Sequence, residues 1–166
     1  MKKLGRYVRA SRGRAFSLVE VVLALGVVSF AIVAILGVLP LGLQTSHYAQ
    51  DETRAAQIAQ AVLTSIAAQA STQFSSVQLK LDDNSTTPID LNGGPDTKTV
   101  FADNDGKLVA AQSGAVYAVT IATNNALTGF DPGYANQVTV TVAWPAAAPT
   151  PSRTKRDYVR IISKYQ

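Results

Sequence analysis

The feature that most constrains this chain is an apolar run from Val21 to Leu43, 23 residues without a formally charged side chain. Ser29 is its only clearly polar residue. As an α-helix the run would measure about 35 Å, against a bilayer hydrocarbon core of about 30 Å. The run therefore predicts a membrane-spanning helix near the N-terminus. In a chain of 166 residues this leaves room for one further modest domain.

The positive charge of the chain is concentrated ahead of this run. Residues 1–15 contain six basic side chains and no acid, whereas the remainder carries nine basic and eleven acidic side chains. The formal charge of +4 therefore reflects a leader-like segment rather than a surface for polyanions, and no nucleic-acid partner is expected. The basic residues predict an N-terminus in the cytoplasm and the rest of the chain outside. The run is too long for an ordinary secretory signal peptide, and QTSHYAQDE after it offers no small-x-small cleavage site.

One carboxylate, Glu20, stands almost at the start of the apolar run. An acid at the centre of a membrane helix costs about 2.5–3.5 kcal/mol on insertion scales, and less near the interface. Ser17-Leu18-Val19-Glu20 matches the S-x-x-E capping box, and the positive end of the helix dipole also favours an acid there. Physical chemistry alone thus explains Glu20 as a helix-start residue, with Ser17 as its cap.

The sequence of this segment resembles the N-terminus of type IV pilins and of the pseudopilins of type II secretion. The resemblance covers about the first 45 residues: a basic leader, a small residue, then FSLVE from Phe16 to Glu20, then about twenty apolar residues. It implies that a prepilin peptidase cuts between Ala15 and Phe16 and N-methylates Phe16. It further implies that Glu20 neutralises the N-terminal amine of a neighbouring subunit during filament assembly.

The chain departs from the family pattern at one position, because Ala15 stands where the family usually has glycine. A cut after Gly13 would leave Arg14 at the head of the mature helix and place Glu20 seventh, which breaks the pattern. The cut after Ala15 is therefore the expected one. The partners that the resemblance implies are prepilin peptidase, other pilins or pseudopilins, the assembly platform protein and its ATPase, with membrane lipid around the helix.

Beyond the membrane run the helix is expected to resume. Pro40, flanked by Gly37 and Gly42, predicts either a kink or local melting, or the end of the membrane helix. Further on, apolar residues recur with a helical period and form one face. These residues are Ala55, Ile58, Ala59, Val62, Leu63 and Ile66. The helix is expected to reach about residue 70.

The second half of the chain has the alternation of β-strands. TKTVFADNDGKLVAAQ predicts a hairpin that turns at Asn104-Asp105-Gly106, and AVYAVTIAT, NQVTVTVAW and DYVRIISKY each predict a strand. LNGGPD and TGFDPGYAN are predicted loops. The expected fold is therefore α+β: a leader at 1–15, a transmembrane helix at 16–43, and an extracytoplasmic pilin-like domain at 44–166 in which the helix packs on an antiparallel sheet. The C-terminal strands look more like those of a minor pseudopilin than of a major pilin.

No residue pattern indicates catalysis, a cofactor or a metal. His47 is the only histidine and there is no cysteine, so His47 is expected to be a solvated or interfacial side chain. ADNDGK is interpreted as a hairpin turn, since EF-hand spacing would put Phe101 and Gln112 at ligand positions. Asp82 and Asp83 are expected in a solvated turn. Two alternatives to a filament subunit remain: an uncleaved single-pass anchor whose outer β domain binds a ligand, and a membrane-tethered hydrolase, which has the least support.

Overall fold

A computed structural model describes residues 16–127 and 134–164. The chain divides into two compact units, Met1–His47 and Tyr48–Gln166. One helix, α1 (Leu18–Ala70), supplies residues to both units. The predicted leader, residues 1–15, lies outside the described residues.

The first unit contains the apolar part of α1. Each residue from Phe16 to His47 is exposed. The helix continues through Pro40, so the apolar helix neither ends nor melts there. Proline removes one N–H from the helix ladder, and the bend that this favours stays a prediction.

The second unit contains the last part of α1, from Tyr48 to Ala70, and seven strands. β1 (Val77–Lys80) and β2 (Thr86–Ile89) form an antiparallel two-stranded sheet. The other strands form a five-stranded antiparallel sheet in the order β4-β3-β5-β6-β7, and a 3-10 turn (Thr150–Ser152) precedes β7. These strands are β3 (Asp96–Ala102), β4 (Leu108–Val109), β5 (Tyr117–Asn124), β6 (Ala135–Trp144) and β7 (Thr154–Ser163). The predicted α+β arrangement, a long N-terminal helix packed on an antiparallel sheet, is confirmed.

The core of the second unit lies between α1 and one face of the larger sheet. All six helix residues predicted to share a face are buried, with exposed fractions of 5% or less, and Ala70 extends the same face. Opposite them, alternate residues of β6 are fully buried: Val138, Val140 and Val142. The buried residues recur with a period of 3.6 along the helix and of 2 along the strand, and the two sets form one apolar layer.

The predicted turn between β3 and β4 is confirmed, and a single carboxylate organises it. One oxygen of Asp103 accepts hydrogen bonds from the backbone N–H groups of Asp105 and Lys107, both at 2.9 Å. Gly106 follows with φ +83°, a conformation that residues with a side chain rarely adopt. A Cβ atom at Gly106 would lie 3.4 Å from Cγ1 of Ile58 on α1. The turn therefore packs in ordinary van der Waals contact with the Ile58 side chain.

The β1–β2 hairpin was not predicted from the sequence, although its turn residues were. Each strand has four residues, and β2 contains Pro88, which weakens a strand signal. The turn is held by Asp83, whose carboxylate accepts from the N–H and the hydroxyl of Ser85 at 2.9 and 2.5 Å. These hydrogen bonds lower the pKa of Asp83. Asp82 and Asp83 thus lie in an exposed turn, as expected.

Candidate functional site

The candidate site begins at the start of α1, where Ser17 precedes the first helical residue. The hydroxyl oxygen of Ser17 accepts a hydrogen bond from the N–H of Val19 at 3.3 Å. Its carbonyl oxygen accepts from the N–H of Val21 at 3.2 Å. Because these two bonds are the pattern of an N-cap residue, Ser17 sets the point at which the helix begins.

Glu20 lies in the first turn of α1, three residues after Ser17, and its side chain is exposed. It is the only formally charged residue between Phe16 and Gln50. The unpaired N–H groups of a helix N-terminus carry partial positive charge, which favours a carboxylate in this turn. Its pairing with an amine stays a prediction, as does cleavage before Phe16, since Ala15 lies outside the described residues. Phe16 itself is 78% exposed.

The helix surface that follows Glu20 is apolar and exposed along its whole length. Every large apolar side chain from Val21 to Leu43 is exposed, and among the described residues α1 is the one helix long and apolar enough to cross a membrane. Removing one such side chain from water yields about 1.5–3 kcal/mol. Two or three of them therefore offset the ~2.5–3.5 kcal/mol that a carboxylate costs at a helix centre. The cost of one carboxylate is therefore small against the gain available from the apolar run.

In the second unit, three polar residues near the start of its helical part bind the sheet. Asp51 accepts a hydrogen bond from the hydroxyl of Tyr117 on β5, and Glu52 forms an ion pair with Arg156 on β7 at 2.8 Å. Arg54 donates to the carbonyl and to the side-chain oxygen of Asn104 in the β3–β4 turn. Each residue thus reaches a different element of the sheet.

Tyr117 is the most buried titratable group of this contact region. Its side chain is fully buried, and its ring lies edge-on to that of Trp144 with centroids 6.2 Å apart. Burial, with the adjacent Asp51 carboxylate as the second cause, raises the pKa of Tyr117 to about 12. The side chain is therefore a neutral hydrogen-bond donor at physiological pH.

Two polar contacts of the second unit were not predicted from the sequence. The side chain of Asn136 is fully buried in β6, where it donates to the carbonyl of Leu91 and accepts from the N–H of Asn124. Gln69, near the end of α1, exchanges two hydrogen bonds of 3.0 Å with the backbone of Gln78 on β1. Neither residue belongs to a recognisable motif, so only the folded arrangement reveals its role.

His47 and the acidic residues of ADNDGK do not come together in a chemical site. His47 is exposed in the first unit. Within residues 16–127 and 134–164, no group of three or more His, Cys, Asp or Glu side chains is arranged to hold a metal ion. Asp103 belongs to ADNDGK, and one of its carboxylate oxygens accepts the hydrogen bonds that hold the β3–β4 turn.

Comparison of the chain with family models, with curated proteins and with solved structures finds no match. The fold and site define an α+β chain with a candidate membrane-spanning helix near its N-terminus.

Proposed function

We propose that this chain is a prepilin-like structural subunit. Prepilin peptidase cuts it between Ala15 and Phe16 and methylates Phe16, and the subunit waits in the cytoplasmic membrane with its N-terminus in the cytoplasm. Its N-terminal helix then packs into a type IV pilus or a type II secretion-type pseudopilus, in which it is a minor component. The partners are sibling pilins, the assembly platform protein and its ATPase.

The observation that carries this proposal is the position of Glu20 at the capped start of an exposed apolar helix. The Ser17 hydrogen bonds fix where the helix begins, and Glu20 is the single charged side chain between Phe16 and Gln50. Lipid or neighbouring helices can cover every other side chain of the run. Glu20 alone needs a charged partner there.

A cut before Phe16 would supply such a partner. The new α-amine would have an ordinary pKa near 7.7–8.0 and would be largely cationic at neutral pH. Opposite charges 4 Å apart attract by about 4 kcal/mol at an effective dielectric constant near 20. This attraction is similar in size to the ~2.5–3.5 kcal/mol cost of a carboxylate in the membrane. Pairing would therefore offset that cost and favour a docked neighbour.

The intact mass of the membrane-extracted chain, produced together with a prepilin peptidase, tests the proposal. The expected mass is that of residues 16–166 plus one methyl group. Ala15→Gly, which restores the family's residue, is the matched variant and should be cut at the same bond. A full-length chain for both proteins would contradict the proposal and favour the uncleaved anchor with a ligand-binding β domain.

A further inference from the structure

The edge strand β7 carries an inference that goes beyond the proposed function and does not depend on it. β7 is ten residues long and ends the order of the five-stranded sheet. In the part of the chain that the structure describes, β6 is its only strand partner. An edge strand presents main-chain donors and acceptors on the side away from its one partner.

The ladder register shows which residues of β7 face that open edge. The N–H of Lys164 donates to the carbonyl of Tyr134 at 2.9 Å, in the same register that pairs β7 with β6. Hydrogen-bonded pairs alternate along an antiparallel ladder, so even-numbered residues of β7 bind β6. Val159 and Ile161 therefore direct their N–H and C=O groups away from β6, towards the edge.

The same two residues expose their side chains. Val159 is 57% and Ile161 is 52% exposed, and both lie on the sheet face opposite α1. The other face of β7 carries Arg156 and Arg160, which pair in register with the buried Val142 and Val138. β7 thus offers apolar side chains on one face and guanidinium groups on the other.

The charge around β7 differs from that of the rest of the second unit. Residues 153–164 carry a formal charge of +4, whereas residues 48–152 carry −5. Arg156 is paired with Glu52, but the side chains of Lys155 and Arg160 have no hydrogen-bond or ion-pair partner among the described residues. Basic residues on an edge strand oppose pairing with a neutral or basic strand, and they favour an acidic one.

We propose that the β7 edge binds an extended acidic segment of a partner protein as an additional strand. In that segment apolar residues alternate with acidic ones. The apolar residues cover Val159 and Ile161, and the acidic residues lie beside Arg160 and Arg156. Main-chain hydrogen bonds supply affinity, and the alternating side chains supply specificity.

A second copy of the chain fits this edge less well than a different protein. Its β7 carries the same positive charge, and several of its carboxylates are already used in local contacts. Asp83 and Asp103 each hold a turn, and Asp96 is paired with Lys98 at 3.1 Å. These acids lie in turns and at a strand end rather than along one alternating strand.

A peptide-binding experiment on the full-length chain in lipid nanodiscs tests the proposal. The probe is a labelled ten-residue peptide in which glutamate and valine alternate, and fluorescence anisotropy measures its binding. We expect saturable binding to this peptide. A peptide of the same composition with all glutamates before all valines should bind at least tenfold more weakly, and an alternating lysine–valine peptide should not bind.

Two variants, each with a control variant, distinguish strand addition from charge attraction alone. Val159→Pro removes an edge N–H while leaving the β6–β7 hydrogen bonds in place, and it should weaken binding about tenfold. Val159→Thr keeps the N–H and is the folding control. Arg160→Gln should weaken binding by about two- to fivefold at low salt, because it removes one charge pair at the protein surface. Lys80→Gln, at an exposed lysine of β1, should leave binding unchanged.

Three results would overturn the proposal. One is equal binding of the block and alternating peptides. Another is unchanged binding to Val159→Pro. The third is slow hydrogen exchange of the Val159 and Ile161 amides in the chain without peptide, which would show that the edge is already covered by other residues of the chain or by a second copy.

Discussion

The hydroxyl of Tyr117 donates a 3.0 Å hydrogen bond to Asp51, which joins β5, the central strand of the larger sheet, to the helix across 66 residues of sequence. Both partners belong to the second unit. Together with the pairs Glu52–Arg156 and Arg54–Asn104, this bond fixes the helix against the sheet at one end of their contact. The apolar face of the helix holds it on the sheet, and these polar contacts fix its position along the sheet.

Tyr117→Phe should lower the free energy of unfolding of the second unit by about 1.5–3 kcal/mol, because a partly buried hydrogen bond to a carboxylate is lost. The ring contact with Trp144 remains. Chemical denaturation followed by tryptophan fluorescence measures the change. Tyr48→Phe, at a tyrosine that is 64% exposed, is the control and should change stability little. Equal stability of the Tyr117 variant and the wild type would show that the Asp51 contact contributes nothing.

Stability should fall at alkaline pH because the pKa of Tyr117 is raised to about 12 in the folded chain, above its ordinary value of 10. The neutral phenol is favoured by folding, so its contribution is fully present below pH 10 and is lost as pH rises towards 12. Unfolding temperatures measured across this window should decline less in Tyr117→Phe than in the wild type.

Phenolate absorbance gives an independent check of this pH dependence. Burial also raises the pKa of Tyr158, so Tyr158→Phe is needed to separate the two late-titrating groups. An absorbance titration in which Tyr117 ionises together with the exposed tyrosines would contradict the expected order.

Asn136→Ala should destabilise the second unit by about 2–4 kcal/mol, because it leaves the Leu91 carbonyl and the Asn124 N–H without their partner. The adjacent Gln137 lies on the opposite face of β6 and is half-buried. Gln137→Ala is therefore the matched control and should change stability by no more than about 0.5 kcal/mol. Denaturant midpoints of the two variants provide the comparison, and similar midpoints would show that the Asn136 bonds are replaceable by water.

Glu20→Ala should leave membrane insertion intact and prevent co-assembly into a filament. Insertion is retained because the apolar run outweighs one carboxylate, and assembly is lost because the α-amine of a neighbour has no partner. Membrane fractionation measures the first property, and the content of isolated filaments measures the second. Ser17→Ala removes the cap and keeps the carboxylate, so it should still assemble. Filaments that contain the Glu20 variant at normal levels would refute the pairing mechanism.

Local sequence pattern predicted the helix face, the β3–β4 turn and the three long strands, because each depends on periodicity or on residues within a few positions. It missed β1 and β2, whose strands are short and include a proline. The predicted closing strand starts at Asp157, whereas β7 begins three residues earlier, because the ladder with β6 continues to Trp144 and Thr154. Residues 128–133 of the predicted TGFDPGYAN loop lie outside the described residues, and its last two residues, Ala135 and Asn136, belong to β6 instead.

The polar contacts of the second unit could not be predicted from the sequence. Arg54 and Asn104 are 50 residues apart, and Glu52 and Arg156 are 104 residues apart. No spacing rule relates such residues until the sheet brings them to the helix. The candidate site, in contrast, rests on a local sequence motif that contains Ser17 and Glu20, and in the structure Ser17 caps the helix.

The backbone conformation of Gly106, in the β3–β4 turn, makes this glycine a position of the second unit at which substitutions should be poorly tolerated. A side chain there would be strained by the φ of +83°, whereas its Cβ atom would lie in ordinary van der Waals contact with the Ile58 side chain, 3.4 Å from Cγ1. Shortening Ile58 leaves the backbone strain in place, so it should not make position 106 more tolerant. In a library of all single variants selected for folded protein, position 106 should retain glycine almost exclusively, while its neighbour Asp105, exposed in the same turn, drifts freely.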